Sequence, residues 1–176
     1  MSSILGEVKL QALRGLMARA AHVPGSVAEC GVYRGGTLSE MLRAFPGRTV
    51  YGFDTFEGLP EQAWAPGEVH SPGDFADVPG LEEIARGAAG ARLVPGIFPE
   101  SADGIEGPFA FVHVDFDFEA STVAAIDWFV PRMSPGGLIV FDDYKWEHCP
   151  GVERAITAAG LAITESAEYQ CFWVAP

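Results

Sequence analysis

Leu5, Val8, Leu13, Leu16, Met17 and Ala20 recur at near-helical spacing, and the run halts at Pro24 and Gly25, so residues 1–25 predict an amphipathic N-terminal helix. "SVAECGV" follows as a short apolar strand, and after the glycines of "YRGG" comes a helical "TLSEMLRAF", with Thr37 near its start. The alternation continues. "RTVYGFDTF" reads as a second strand, "LEEIARGAAG" as a helix, "ARLVPGIF" as a third strand and "PFAFVHVDFDF" as a fourth. "STVAAIDWFVPRM" predicts a helix ended by Pro135, Gly136 and Gly137; "GLIVFDDY" is a fifth strand, and "GVERAITAAG", behind Pro150, a last helix. The tail "LAITESAEYQCFWVAP" alternates around Tyr169 as an antiparallel closing hairpin.

Strands that are near-continuous apolar runs, separated by helices, imply an α/β fold: a mostly parallel sheet with helices on both faces. One stretch breaks the rhythm. Residues 57–80 are rich in Gly, Pro and polar side chains, with Trp64, His70 and Phe75 interspersed, which is long for a connection and reads as an active-site loop.

The 176 residues suit a single domain spanning 1–176. A formal charge of -13 argues against nucleic acid or an anionic membrane as partner and supplies carboxylates for a divalent cation, though a solvated acidic surface accounts for much of it. Three cysteines without a CxxC pair give neither a disulfide framework nor a zinc knuckle, which sets a cytoplasmic location as the expectation. Glu7, Lys9, Arg14 and Arg19 argue against a signal peptide, and no apolar run is long enough to span a bilayer.

The informative polar residues stand at strand ends. Glu29, Asp54, Asp115, Asp117, Asp142 and Asp143 all fall at or near the carboxyl ends of predicted strands, where parallel sheets bind ligands. Buried carboxylates without partners are costly, so these want a cation, a proton or solvent. The turn leaving the first strand carries Gly31, Gly35 and Gly36, which lets backbone approach a ligand ahead of a helix N-terminus. Its spacing is not the GxGxxG of a nicotinamide or flavin site. Asp54, about 20 residues further on, is placed to accept ribose hydroxyls or to cap a turn. A glycine turn followed by a ribose-binding acid one strand over is the general arrangement for S-adenosylmethionine in Rossmann-like class I methyltransferases.

"VAECGVYRGGTL", "VYGFDTFEGLPE", "GDF", "GIFPES", "FVHVDFDFEASTVAAIDWFVPRMSPGG", "IVFDDY" and "PGVERAI" together resemble the TylF/MycF (macrocin O-methyltransferase) family, from about Val27 to Ile156. That resemblance implies an S-adenosylmethionine-dependent O-methyltransferase with a divalent ion, usually magnesium, held by Asp115, Asp142 and Asp143. It also implies cofactor contacts from Glu29, the turn Gly31 to Gly36 with Tyr33, Asp54, and the segments around Asp74 and Phe98. Magnesium takes oxygen ligands in an octahedron and acts as a Lewis acid on a hydroxylated small-molecule acceptor of natural-product, sugar or phenolic type. The better-known members are longer, so the acceptor pocket here is expected to be open, built from the 57–80 loop, or completed by a second subunit of a homodimer.

For the base that takes the acceptor's proton, His70, His148, Asp115 and Asp117 are candidates. His113 shares strand parity with Asp115 and reads as a satisfied core histidine; Cys30 reads as a small buried hydrophobe. Trp64 and Phe75 line either the acceptor site or a lid, and Glu119 has no assigned role. Two other readings compete. "VHVDFDF" and "FDD" resemble the acids of haloacid-dehalogenase-type magnesium phosphatases, but that nucleophile belongs on a first strand and here lies on the fourth. A non-catalytic S-adenosylmethionine-binding domain is the remaining alternative, because fold does not fix function.

Overall fold

The computed structural model describes residues 5–176, so the first four positions of the predicted N-terminal helix lie outside the described residues. Seven strands form one sheet in the order β3-β2-β1-β4-β5-β7-β6. They are β1 (Ser26–Cys30), β2 (Val50–Asp54), β3 (Ala91–Pro95), β4 (Phe109–Val114), β5 (Met133–Asp142), β6 (Thr164–Ala167) and β7 (Gln170–Val174). The first five run parallel, and β7 enters antiparallel between β5 and β6, so the predicted hairpin closes one edge. The order reverses between β1 and β4, which opens a crevice at their carboxyl ends.

Helices α1 (Glu7–Ala20), α2 (Gly36–Ala44) and α3 (Leu81–Gly87) cover one face; α4 (Glu119–Phe129) and α5 (Pro150–Ala158) cover the other. Period-two alternation divides the wholly buried β4 between them: Phe111 packs with Leu13, Met17 and Leu38, while Val112 and Val114 pack with Phe129 and Ile156. On α1 the buried stripe is Leu10, Leu13, Leu16, Met17 and Ala20. Val8, placed in that stripe by its spacing, is instead 72% exposed on the first turn of the helix.

Boundaries shift where ligand-facing loops begin. β4 ends at Val114, so Asp115 and Asp117 stand on the loop beyond the strand, with Asp117 at φ 62. α4 begins at Glu119, two residues early, because Glu68 Oε1 accepts the Glu119 N–H at 2.9 Å and satisfies one of the helix's free donors. Glu119, unassigned from sequence, pins α4 to α5 through Arg154 at 2.7 Å. Between the pairs Phe109↔Met133 and Phe111↔Leu138, β5 carries extra residues, so Pro135 and Gly136 form an excursion inside the strand instead of preceding it.

Candidate functional site

The carboxyl ends of β1, β2, β4 and β5 wall one cavity of about 600 Å³. Its floor is the glycine turn and the rim acids; its sides are the 57–80 loop, the first turn of α1 and the β6–β7 turn at Glu168 and Tyr169. Gly31 sits at φ 87 and fits because it has no side chain: a Cβ there would lie 1.9 Å from the Asp115 carbonyl oxygen. That close approach brings the glycine turn and the acid loop into one floor.

Asp54 fixes the turn. Its Oδ2 accepts the N–H groups of Val32 and Tyr33 at 2.7 and 2.8 Å, and its Oδ1 accepts Phe56 N at 2.7 Å. The turn-capping role is therefore met, and Asp54 also lines the cavity. Gly31, Tyr33 and Phe98 line the cavity as well; Gly35 and Gly36 stand behind them, opening α2 with Gly35 at φ 76. Asp74 closes a turn of the loop through Ser71 N at 2.8 Å and stands outside the cavity wall.

Glu29 is buried beneath the turn, not in the wall. It pairs across the sheet with His113, whose Nδ1 is 3.6 Å from Glu29 Oε1, just beyond hydrogen-bond length. Burial raises the Glu29 pKa, with His113 acting against it. His113 is a core residue, as expected, but not a satisfied one: neither ring nitrogen has a hydrogen-bond partner among the described residues.

The loop folds back over the cavity. Leu59 N donates to Asp74 O, and Tyr33 OH reaches Asp77 Oδ1 at 2.8 Å, while Arg34 pairs with the same carboxylate at 2.6 Å. Phase by phase this ties the loop's far end to the glycine turn. Phe75 lines the cavity and meets Tyr33 edge-on at 5.9 Å, whereas Trp64 is exposed away from it.

The acids cluster as their strand-end positions suggested. Ligand atoms of Asp115, Asp117 and Asp143 lie within 4.8 Å of one another, and so do those of His113, Asp115 and Asp142. Asp115 thus meets both members of the β5 pair. Burial, then the charges of Asp142, Asp143 and Asp117, push its carboxyl well above the ordinary range. Asp117 is raised to about 7 by burial and by Asp143. Asp115, Asp117 and Asp143 are a hard oxygen set that suits magnesium, while Asp142, expected beside Asp115 and Asp143, meets Asp115 in the separate group with His113.

Sequence reasoning missed the cation that is present. Lys9, on the first turn of α1, places Nζ 2.9 Å from Asp142 Oδ2 and 3.0 Å from Asp143 Oδ1. Burial disfavours its ammonium, but the two carboxylates outweigh that and raise its pKa. Gln170 donates to the other Asp142 oxygen at 3.4 Å. Of the candidate bases, His70 packs against Phe75 and Trp146, with Nδ1 3.5 Å from Asp74, and shares a donor group with Asp117 and Cys149. His148 is half exposed beside Trp146, 3.8 Å from Glu147 and outside the cavity wall.

A family model described as a methyltransferase domain matches residues 28–144. The chain is 33% identical to the 8-demethyl-8-(2,3-dimethoxy-alpha-L-rhamnosyl)-tetracenomycin-C 4'-O-methyltransferase of Streptomyces olivaceus, over 72% of this chain and 56% of that protein. It is 30% identical to the mycinamicin III 3''-O-methyltransferase of Micromonospora griseorubida, over 72% of this chain and 58% of that protein. The chain therefore spans little more than half the length of these curated relatives. Among solved structures, the O-methyltransferase NovP superposes with a TM-score of 0.82 at 25% identity, covering 98% of this chain and 81% of that one.

Proposed function

Because the chain belongs to the methyltransferase-domain family, we propose that it is an S-adenosylmethionine-dependent O-methyltransferase of the TylF/MycF type, acting on a hydroxyl of a sugar-bearing or phenolic natural product. The observation that carries this is the single cavity in which the Gly31 turn and Asp54 face the Asp115, Asp117, Asp142 and Asp143 cluster. The first half suits an adenosine and its ribose. The second half, net acidic, favours a sulfonium cation and an acceptor hydroxyl beside it.

In the transfer, an acceptor oxygen attacks the methyl carbon, the C–S bond breaks, and S-adenosylhomocysteine leaves as a neutral thioether. Most of the rate comes from holding oxygen, carbon and sulfur in line, which the rigid strand ends and the folded loop do. The hydroxyl proton must go to a base. Asp117 lines the cavity within the acid cluster, so it is the acceptor we favour, with Asp115 beside it. Asp115, Asp142 and Asp143 would hold magnesium, which when bound supplies Lewis acidity toward the hydroxyl and counter-charge for the acids. The 57–80 loop and Phe75 would shape the acceptor side.

Calorimetric titration with S-adenosylhomocysteine, with and without magnesium, tests the reading on native protein and an Asp142→Ala, Asp143→Ala double variant. Cofactor binding that survives the double substitution while magnesium binding is lost is the expected result. Absence of S-adenosylhomocysteine binding to native protein refutes the methyltransferase function, and undiminished magnesium affinity in the variant refutes the proposed ligands. No helix among the described residues is long and apolar enough to cross a membrane.

A further inference from the structure

We propose that Lys9 is a resident cation of the acid cluster, competing with a divalent ion for Asp142 and Asp143, so that ion entry releases the first turn of α1 from the cavity. The inference rests on the magnesium site of the proposed function and concerns what stands there before the ion arrives.

Lys9 Nζ bonds one oxygen of each carboxylate, at 2.9 and 3.0 Å, across 133 and 134 residues of chain. The Trp146 ring lies 6.0 Å from the same nitrogen, so the ammonium is held from a third side. Only 17% of the Lys9 side chain is exposed, so this is not a solvated surface pair that salt would erase. Among the described residues, both ion pairs to the β5 acids come from Lys9. Asp142 is committed on its other oxygen to Gln170. An ion on either Asp142 oxygen would share that carboxylate with the ammonium, and the repulsion between the two cations favours displacement of Lys9. Asp143 is shared in the same way between Lys9 and the Asp115–Asp117–Asp143 group. An ion bound through Asp143 therefore sits one carboxylate away from an ammonium, and like charges at that separation repel strongly in a partly buried site.

The consequence reaches α1. Leu5, Gly6, Glu7, Val8 and Lys9 all wall the cavity, and Val8 contributes no buried anchor. The helix is secured further along by Leu10, Leu13 and Met17. Withdrawal of Lys9 can thus free the first turn without undocking the rest, widening the mouth where an acceptor enters. Docked, Lys9 neutralises the acids; displaced, it yields them to the stronger charge.

The test titrates Mn²⁺ alone, with free ion read by electron paramagnetic resonance, into native protein and the Lys9→Met and Lys9→Arg variants. Hydrogen exchange of the peptide covering the first turn of α1 is followed in native protein as magnesium is added. Tighter Mn²⁺ binding by Lys9→Met, about tenfold or more, with Lys9→Arg near native, is expected. So is faster exchange of the first turn on magnesium addition, with the Leu13 to Ala20 segment unchanged. Equal Mn²⁺ affinity in native protein and Lys9→Met, no Mn²⁺ binding by Lys9→Met, or unaltered exchange in native protein overturns the proposal. The exchange measurement needs no variant and so decides even if Lys9→Met does not fold. S-adenosylhomocysteine titration of the same native sample, with no divalent ion added, tells failure of this inference from failure of the methyltransferase reading.

Discussion

Replacing Gly31 by alanine is expected to destabilise the protein and loosen its cofactor together, because one residue joins the glycine turn to the acid loop. The new Cβ would stand 1.9 Å from the Asp115 carbonyl oxygen and 2.9 Å from its carbon. Both neighbours are backbone, so no side chain can swing aside, and the ends of β1 and β4 must separate by about 1 Å. An L-residue held at φ 87 costs about 1–3 kcal/mol. Separation also stretches the Asp115 N to Cys30 O bond, 2.8 Å, worth about 1 kcal/mol net. The sum is about 2–4 kcal/mol, which for a chain of this size lowers the melting temperature by roughly 4–16 °C. Calorimetric melting with and without S-adenosylhomocysteine measures both effects. A loss below about 3 °C, with cofactor stabilisation intact, would show that the strand ends relax freely and that the turn and the acid loop are not mechanically joined.

Arg48→Ala removes the guanidinium that donates to the carbonyls of Ala21 and Val23 at the end of α1; a loss of about 1–3 kcal/mol by urea denaturation is expected. Asp54→Ala leaves Val32, Tyr33 and Phe56 N–H groups without their acceptor, and S-adenosylhomocysteine affinity by calorimetry should fall by about tenfold or more. The folded pKa of Asp117, about 7, lies above that of an unfolded aspartate, so the native state holds the extra proton. The stability this confers is full below the unfolded value and is lost as pH rises through about 7; the metal-free melting temperature should therefore decline from about pH 5 to 8, and Asp117→Asn should flatten that decline. A melting temperature that rises over that window would place Asp117 in a stabilised, ionised state and remove it as the favoured base.

The strand and helix order was legible in the sequence because burial on both sheet faces writes apolar runs into the strands, and amphipathic spacing marks the helices between them. "FVHVDFDF" and "LIVFDDY" also disclosed the acidic rim, since a parallel sheet sends all its carboxyl ends to one edge. Asp54 was legible in position, while its three backbone partners were not. Residue spacing says where a carboxylate stands along the chain and nothing of what its oxygens meet.

Tertiary structure decided the rest. His113 and Glu29 are register partners that nearly touch, a fact fixed by the pairing of β1 with β4 and by no local pattern. Glu119 became a strut because α4 and α5 pack so closely that a Cβ on Gly151 would lie 2.6 Å from that of Glu119. Lys9 stood in the sequence only as one of several charges in the N-terminal segment, yet the docking of α1 delivers it to acids 133 residues away. Periodicity is a property of neighbours in sequence and so determined the elements and the edge they share. Which charges meet across that edge depends on how separate elements pack, and the fold alone brings them together.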